Sequence, residues 1–573
     1  MKSPLLDCVW LATAFGRGRL AAGCGLDWLN ERWCLVQRVA RPVPPSASRL
    51  AESGGEPPTL QSYHHMDCVW LATALCVGRF ADGSAHSCLT QPAQSLIAIP
   101  SQIRRIRAAW IRDSALVCHE RDRFSGGTMN LRLSSILLPL CVLSGGCIPN
   151  LSAAETAPPL VIREFKRIAL SDQFWCEGAN FADFNNDGKS DIVAGPWWWE
   201  GPDFGKKHEI YPPTTTFQLA LGELTQVAVP GFEGGLGNNN TYSDNFFAFP
   251  YDFNGDGFKD VLFIGFPGRA TEWRENPKGT DAPWTRHLVF MQTDNESPTF
   301  TDITGDGKPE LVCITKGAYG YATVDWKEPA RMWDWHPISP NKNYGNFTHG
   351  MGIGDVNGDG KLDLLEKDGW YEQPASLQGD PEWVHHDAPF GGGGAQMYAY
   401  DVNGDGLNDV ITSLAAHAFG LAWFEQIKGA GEIQFKQHLI IGSKPEENAY
   451  GVKFSELHAI DLIDMNGDGL KDIVTGKRFW SHGRMGDPDR NDEAVLYWFE
   501  LARKPEGVDF IPHRIDNNSG VGTQIVAGDI NGDGLPDVVL GNKKGIFVHL
   551  QQTKPATKEE WEAAQPKPVA VGK

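Results

Sequence analysis

Cysteine is scarce over most of this chain. Of its eleven cysteines, only Cys176 and Cys313 lie beyond residue 147. Two thiols are too few to build a disulfide framework across the remaining ~400 residues. If these residues form a loop-rich domain, something other than disulfides must hold its loops in place.

Long apolar runs and clusters of basic residues are lacking too. After residue 154, no apolar run reaches the about 18 residues that a membrane-spanning helix needs. Asp and Glu number 72 against 51 Lys and Arg, which gives a net charge of −21. Because phosphate binding needs clustered Lys and Arg, a nucleic-acid partner is disfavoured. Much of the acid lies in one repeated motif, which indicates metal ligands rather than a solvated acidic face.

The abundant residues indicate a β-rich fold. The chain is 41% hydrophobic and 11% aromatic, and it contains 64 Gly and 20 Trp. Such a composition is typical of short strands joined by tight turns.

The first 128 residues are expected not to belong to the folded protein. The sequence DCVWLATA at residues 7–14 recurs at 67–74. Neither copy shows a sustained helical or strand period, and scattered Cys, Arg and Pro give no coherent core. The repeat could be a small duplicated domain. We favour translation upstream of the true start, or a disordered segment, for residues 1–128.

Residues 129–154 have the pattern of a signal peptide. Met129 is followed by a short positive region, an apolar stretch at 133–143 and small residues at 152–154. Cys147 lies in an imperfect lipobox with Ser144 where an aliphatic residue is usual, so lipoprotein anchoring is the weaker alternative. We therefore expect export to the periplasm, the cell surface or the extracellular space, where calcium is plentiful.

A nine-residue acidic motif occurs seven times beyond residue 181. Oxygen-bearing side chains stand at positions 1, 3, 5 and 9, and Gly stands at position 6. This spacing wraps a loop around one hard cation, to which a main-chain carbonyl near position 7 adds a ligand. We predict up to seven structural Ca²⁺ ions. The predicted ligands are Asp183, Asn185, Asp187 and Asp191; Asp252, Asn254, Asp256 and Asp260; Asp302, Thr304, Asp306 and Glu310; Asp355, Asn357, Asp359 and Asp363; Asp401, Asn403, Asp405 and Asp409; Asp464, Asn466, Asp468 and Asp472; Asp529, Asn531, Asp533 and Asp537.

Two other interpretations of this motif are less favoured. A single copy would be an ordinary Asx turn, but seven copies that keep all four positions argue against that. An EF-hand would need a bidentate Glu at position 12 and a following helix, whereas β-branched runs such as DIVAG and DVVLG follow position 9. The third copy departs most, with Thr304 and Glu310, so we expect its site to be the weakest or empty.

On these motifs the chain resembles the FG-GAP/VCBS repeat family of calcium-loop β-propellers, whose best-known relative is the integrin α-subunit head. The resemblance covers nearly all of the chain beyond the leader. It implies the fold and the metal, but not a function, because functions vary widely within the family.

The spacing of the motifs predicts an all-β, seven-bladed β-propeller over residues 160–552, followed by a polar tail at 553–573. Each unit is expected to contain, in this order, an inner strand, the acidic loop, a second strand, a strand with the Trp-x-Glu pattern and an outer strand that ends in His. Trp326 and Glu328 are assigned to the Trp-x-Glu strand of the third unit. The seventh unit lacks an outer strand, and an unpaired strand from Glu164 to Leu170 precedes the first. We expect that strand to complete the last blade and close the ring.

Histidines that recur once per unit are expected to be structural, and function is expected where the repeat is broken. Six residues before each loop, the innermost strands begin near the opposite channel mouth. Glu177, Glu296, His349 and His458 could converge there for general acid–base chemistry or a transition metal. A polar, water-filled channel is the plainer alternative. His417, in a segment that breaks the repeat, is a further candidate.

The two long insertions at 211–244 and 476–493 are candidate binding loops. The remaining mouth positions are Phe246, Ala395, Gln396, Thr523 and Gln524. The recurring histidines are His287, His336, His386, His438 and His513.

These observations lead to an exported, monomeric calcium-binding module that binds polysaccharide or another exported protein, with no firm catalytic residue. The alternative is a carbohydrate-active enzyme of the sugar dehydratase or lyase type. Residues 350–374 are similar to the propeller part of sugar-converting proteins of the aldos-2-ulose dehydratase type, although the cupin domains that accompany that propeller are missing. An integrin-like adhesin would need a partner domain that this chain lacks.

Overall fold

A computed structural model describes residues 159–213, 242–429, 431–482 and 487–569. These residues belong to one unit of the chain, residues 145–573. The region 1–128, the predicted signal peptide with Cys147 and most of the 211–244 insertion lie outside the described residues.

The described residues form an all-β fold with two short helices. The strands, β1 to β27 in chain order, are Val161–Ser171, Ala179–Ala182, Asp191–Ala194, Trp197–Trp199, Lys207–Glu209, Phe247–Tyr251, Asp260–Ile264, Arg269–Glu275, Thr285–Thr301, Glu310–Thr315, Ala318–Thr323, Asp334–Pro337, Met351–Gly354, Asp363–Glu366, Gly369–Glu372, Val384–Asp387, Gln396–Tyr400, Asp409–Ser413, Leu421–Ile427, Gln434–Ile441, Ile460–Ile463, Asp472–Gly476, Leu496–Lys504, Gly507–Asp516, Ile525–Gly528, Asp537–Asn542 and Gly545–Pro555.

The helices are a 3-10 turn at Pro445–Glu447 and α1 at Lys558–Ala564, which lies within the predicted polar tail. Neither described helix has the length and hydropathy needed to cross a membrane.

The strands form five sheets in which one antiparallel order recurs. Three sheets have four strands each, in the orders β2-β3-β4-β5, β21-β22-β23-β24 and β1-β27-β26-β25. The seven-stranded sheet runs from β6 to β12, and its long strand β9 pairs with both β8 and β10. The eight-stranded sheet joins β13–β16 to β17–β20 through a short parallel pairing of β13 with β17. Each acidic loop therefore connects the first strand of a four-strand run to the second.

The two ends of the described chain meet in one sheet. β1 pairs antiparallel with β27, so that Val161 lies opposite Pro555 and Phe165 lies opposite Gln551. This is the pairing expected of the strand that precedes the first unit. It gives the last four-strand run its outer strand and covers an edge that would otherwise expose unpaired backbone groups.

The second strand of every run begins at motif position 9. For example, β18 begins at Asp409 and β26 begins at Asp537. Position 2 is a buried apolar residue, such as Val402 in the fifth loop. A strand, and not a helix, follows the loop, so the EF-hand alternative is excluded.

Amide side chains connect four of the seven acidic loops to the preceding loop. The Nε2 atom of Gln426 donates to the backbone oxygens of Val356 at 2.9 Å and Asn408 at 2.7 Å. Val356 belongs to the fourth loop and Asn408 to the fifth, so one amide holds both. We call this arrangement the amide clamp. Its other members are Asn276, Gln373 and Gln551.

Most of the recurring histidines stack on an aromatic ring and bond to a carboxylate within their own sheet. The His287 ring lies 4.2 Å from the Trp273 ring, and its Nε2 atom is 2.8 Å from the Oε2 atom of Glu275. His386, His438 and His513 make the same pair of contacts. This regular arrangement agrees with the structural role expected of them.

The third unit differs from the expected arrangement. Trp326 and Glu328 do not lie in its third strand but in the turn after β11. Tyr321 takes the place of the Trp, stacked 5.0 Å from His336, and the hydroxyl of Thr323 takes the place of the carboxylate, 3.0 Å from His336 Nε2. The register of β11 against β10 determines which residues face the outer strand, and the local Trp-x-Glu pattern does not show this register.

The apolar core lies between neighbouring runs of strands. One cluster joins Ile411 and Trp423 of one run to Ile460, Ile473 and Phe499 of the next. Each run thus buries both faces against its neighbours, and this burial provides most of the favourable free energy of folding.

Candidate functional site

Hydrogen bonds to the carboxylate at motif position 1 hold each acidic loop in a tight turn. In the first loop the carboxylate of Asp183 accepts the N–H groups of Asp187 at 3.2 Å and Gly188 at 2.8 Å. Gly188 has a φ of +83°, a conformation that favours glycine. The same pair of bonds, from positions 5 and 6, recurs in the other six loops.

The carboxylate at position 9 lies deeper than the others and is held by the backbone. In the fifth loop Asp409 accepts the N–H groups of Val402 at 2.9 Å and Gln426 at 2.7 Å. Burial raises the pKa of the position-9 carboxyl in every loop, to about 6 at Asp409 and about 8 at Asp472, although these N–H donors oppose the shift.

The loop residues fit a hard cation. Each loop brings carboxylates, together with an amide or hydroxyl, to one turn, and carboxylate and carbonyl oxygens are the ligands that Ca²⁺ prefers. In the third loop the ligand oxygens of Asp302, Asp306 and Glu310 all lie within 4.8 Å of one another. The longer Glu310 side chain reaches further than an aspartate. The expectation that this loop binds most weakly therefore remains a prediction.

A second polar site is built from residues far apart in the chain. We call it the polar cluster. Its members are Glu177, Glu296, His349, His417, Glu456, His458, Arg478, Ser481, His482, Asp487 and Lys543.

Arg478 joins the two predicted glutamates. Its Nη2 atom lies 2.5 Å from Glu177 Oε1, and its Nη1 atom lies 3.1 Å from Glu296 Oε2. All three side chains are at most 3% exposed. The Nζ atom of Lys543 lies 3.8 Å from the same Glu177 oxygen, and burial lowers the pKa of Lys543 to about 8. The two carboxylates are therefore compensated by two buried cations.

Three predicted histidines converge beside Glu296. The Nε2 atom of His349 lies 3.4 Å from Glu296 Oε2. The His349 ring lies 4.6 Å from that of His417 and 5.6 Å from that of His458. One nitrogen from each of the three rings lies within 4.8 Å of the others. The structure thus brings together Glu177, Glu296, His349 and His458, and it places His417, a separate sequence candidate, beside them.

The electrostatic surroundings favour a neutral imidazole at His417 and at His458 and an ionised carboxylate at Glu296. Burial lowers the pKa of His458 well below its ordinary value, and Arg478 and the neighbouring imidazoles lower it further. Burial also lowers the pKa of His417. Burial alone would raise the pKa of Glu296, but the His349 imidazole, 3.4 Å away, and the charge of Arg478 hold it at about 2. A neutral imidazole is the form that binds a metal, so the residues fit a divalent transition metal.

A second group lies on the other side of His417. The Ser481 hydroxyl donates to Glu456 Oε2 at 2.7 Å, and His417 Nδ1 lies 3.5 Å from the same oxygen. The Nδ1 atom of His482 lies 3.0 Å from Asp487 Oδ1. Glu456 is fully buried, and its φ of +65° is unusual for a residue other than glycine.

Several members of the polar cluster were not among the sequence candidates. Arg478, Ser481, His482 and Asp487 come from the 476–493 insertion, whose mixture of charged and polar residues was the available signal. Arg478 is 2% exposed, so this part of the insertion is not a solvated loop. No local pattern distinguished Glu456 or Lys543.

The other predicted mouth residues are structural. The side chain of Gln396 bonds to the backbone of Thr523 and Ile460, and Gln524 bonds to the backbone of Ala248. Phe246 lies under the Arg478 guanidinium, and Ala395 is buried in the core. These residues hold neighbouring inner strands together.

The similarity to solved structures is remote. A chain of the Photorhabdus luminescens Tc holotoxin pore is 16% identical with a TM-score of 0.31, covering 56% of this chain and 14% of its own. An Agrocybe aegerita lectin that recognises non-reducing terminal N-acetylglucosamine is 16% identical with a TM-score of 0.36, covering 68% and 86%. A complex of BBS1N with ARL6DN gives 8% identity and a TM-score of 0.38, covering 70% and 99%. All three TM-scores are below 0.5, so these similarities establish neither fold nor function.

The comparison with protein families is more specific. No curated protein sequence matches this chain. Residues 252–313 and 464–540 match the family described as FG-GAP-like repeat, and these segments include the second, third, sixth and seventh acidic loops. The predicted resemblance is therefore confirmed, and the chain is one that carries FG-GAP-like repeats.

Proposed function

We propose that the protein is an exported, calcium-stabilised, seven-bladed β-propeller that acts as a binding module. Three observations support this architecture: the sevenfold order of strands, the pairing of β1 with β27, and contacts between successive inner strands. For example, β2 contacts both β6 and β25, which come from the second and the last runs of strands. Calcium at the acidic loops has a structural role, because each loop forms the turn between two strands.

The polar cluster is the binding site of this module. The observation that carries the proposal is the convergence of residues from seven separate sequence segments on one buried network with a partly exposed imidazole, His417. A module that only needed a stable core would gain little from burying this many charges, because their desolvation is costly. Phe347, which is 40% exposed, precedes His349 by two residues, packs edge-to-face against Phe266 and offers an apolar ring to a ligand.

Carbohydrate is the ligand class that fits this surface best. Sugars present hydroxyls to polar side chains and an apolar ring face to an aromatic ring. Imidazole, carboxylate and the Phe347 ring together supply these partners.

The experiment is a glycan and polysaccharide binding screen on the exported chain, with calcium saturating. We expect binding that falls at least about tenfold in His417→Ala, as for an interface residue of high importance. His386→Ala is the matched control, because His386 is 37% and His417 38% exposed. If the control weakens binding as much as His417→Ala does, or if no glycan binds, the carbohydrate proposal is wrong.

A second candidate function is a metal-assisted carbohydrate-active enzyme of the dehydratase or lyase type. The trio of His349, His417 and His458 favours it, because three imidazoles are a common ligand set of catalytic Zn²⁺. A bound metal would polarise a carbonyl oxygen of the substrate. Glu296, which is held by Arg478, orients His349.

This second candidate is tested by incubating the Zn²⁺-loaded protein with keto-sugars and uronate polysaccharides and following the absorbance of unsaturated products. We expect turnover that is abolished in His349→Ala and unchanged in His513→Ala. Binding without turnover would reject the enzyme and leave the binding module intact.

A further inference from the structure

His417 belongs to two groups of metal-ligating side chains. One group is His349, His417 and His458; the other is His417, Glu456 and His482. In each group, one ligand atom per residue lies within 4.8 Å of the other two. Only His417 is common to both.

The ring of His417 lies between the two groups. Its centroid is 4.7 Å from that of His458 and 4.0 Å from that of His482. Its Nδ1 atom faces Glu456 Oε2 at 3.5 Å. An imidazole has two ring nitrogens on different edges, and each can bind a metal. One ring can therefore serve two adjacent ions when it releases its remaining N–H proton to solvent and bridges them as an imidazolate.

Glu456 forms no ion pair with a Lys or Arg side chain among the described residues. Its ion-pair partners there are the imidazoles of His417 and His458, at 3.5 and 3.8 Å. The buried Lys477 ammonium bonds to Ser455 and attracts Glu456 from beyond ion-pair distance. The Oε1 atom of Glu456 is buried with no hydrogen-bond partner in the described structure. A buried carboxylate oxygen without a partner is costly, so a cation beside this oxygen would be favoured.

The imidazoles also have unused ligand atoms. His458 is 1% exposed, yet neither of its ring nitrogens has a hydrogen-bond partner in the described structure, and the same holds for Nε2 of His349. Buried polar atoms are normally hydrogen-bonded. Unpartnered nitrogens from two rings in one small space are what a metal centre requires before its ion is bound.

We propose that the polar cluster holds a pair of divalent transition-metal ions, with His417 as the shared ligand. This inference rests on the second candidate function for the first ion position and adds the second position, at His417, Glu456 and His482. Imidazole nitrogens select a transition metal such as Zn²⁺ over Ca²⁺. Asp487 orients His482 through its Nδ1 atom, as outer-shell carboxylates do at metal sites.

The test is the stoichiometry of Zn²⁺ binding by the full exported chain, measured by calorimetry and elemental analysis. Excess Ca²⁺ keeps the acidic loops saturated. We expect two Zn²⁺ per chain for the wild type, one for His482→Ala and one for His349→Ala. His417→Ala should weaken both positions, whereas His513→Ala, which removes an imidazole bonded to Glu500, should leave two.

A second measurement uses a paramagnetic ion. When Zn²⁺ is replaced by Co²⁺, the first equivalent should give the paramagnetic resonance signal of an isolated ion, and the second should reduce that signal, because two ions that share a ligand are spin-coupled. In His482→Ala the signal of the first equivalent should persist when more Co²⁺ is added. One Zn²⁺ in the wild type, unaffected by His482→Ala, would overturn the paired site and leave the first position standing. No Zn²⁺ at all would overturn both.

Discussion

The Nη2 atom of Arg478 donates a hydrogen bond to the Oε1 atom of Glu177 at 2.5 Å, although 301 positions separate the two residues in the chain. The same guanidinium donates to Glu296, 182 positions away. Arg478, in the 476–493 insertion, thus links the segment before β2 to strand β9 in one network. Because the three side chains are buried, the network is both a stability element and the foundation of the candidate site.

Replacing Arg478 should strongly destabilise the protein. Arg478→Met leaves Glu177 and Glu296 buried without their shared partner, and breaking a buried pair in this way costs about 3–5 kcal/mol. The measurement is urea unfolding followed by tryptophan fluorescence. Arg331→Met, which removes an exposed ion pair, should change the free energy of unfolding by less than about 0.5 kcal/mol. Equal effects of the two substitutions would contradict a buried network.

Removal of calcium should lower the melting temperature. If cations hold the acidic loops, folded protein loses the stabilisation that ligand binding provides, and readdition of Ca²⁺ should restore it. Calorimetry before and after chelation measures this, with Mg²⁺ as the comparison ion. An unchanged melting temperature after verified metal removal would contradict the proposal that calcium is structural.

The third loop should contribute less to calcium binding than the fifth. Asp306→Asn should reduce the calcium-dependent gain in melting temperature less than Asp405→Asn, because the third loop has Thr304 where the fifth has Asn403. The two variants differ by the same chemical change at motif position 5. A larger loss for Asp306→Asn would favour the opposite ranking, as would be expected if the close carboxylates of that loop bind best.

Replacing a residue of the amide clamp should lower the free energy of unfolding more than replacing an exposed amide does. Gln426→Leu leaves the buried carbonyls of Val356 and Asn408 without their donor, at a cost of about 1–3 kcal/mol in the free energy of unfolding. Gln437→Leu is the matched control, because Gln437 is exposed on the outer strand of the same run. The clamp has no special role if both substitutions have the same small effect.

Buried His549 should make the protein less stable in mild acid. Burial lowers its pKa from 6.5 to about 4, with Asp516 opposing the shift and Arg167 adding to it. The unfolded state therefore takes up a proton first, and stability is lost as the pH falls from about 6.5 to about 4.

The variant His549→Leu isolates this contribution, because neither ring nitrogen of His549 has a hydrogen-bond partner in the described structure. Between pH 7.5 and 4.5 the wild type should lose on the order of 2 kcal/mol more of its unfolding free energy than the variant. Parallel loss in both proteins would show that another group is responsible.

Much of the fold could be predicted because its determinants are local and repeated. The motif positions, the strand that follows position 9 and the histidine of the outer strand are each contained within a short stretch of sequence. The third unit shows the limit of this reasoning: Trp326 and Glu328 match the pattern, but the pairing of β11 places Tyr321 opposite His336 and brings the Thr323 hydroxyl within reach of its ring. Register depends on the neighbouring strand and is not encoded in a three-residue match.

The candidate site was predictable only in part. Glu177, Glu296, His349 and His458 were found because they occupy one position of the repeat, which a regular architecture must bring to the same end. The partners that decide their chemistry come from irregular segments. Glu456 and Lys543 carry no local signal, because their importance lies in being buried beside groups that are distant in sequence.

By itself, the sequence determined the β-rich class, the seven acidic loops with their oxygen donors and the FG-GAP-like repeat, because spacing along the chain is enough to define a turn and the strand after it. Only the tertiary structure decided that β1 pairs with β27, that amides connect successive loops and that His417 lies between two groups of ligands. These relationships join residues that are far apart in the chain, and burial and distance in three dimensions, rather than spacing, set their energies.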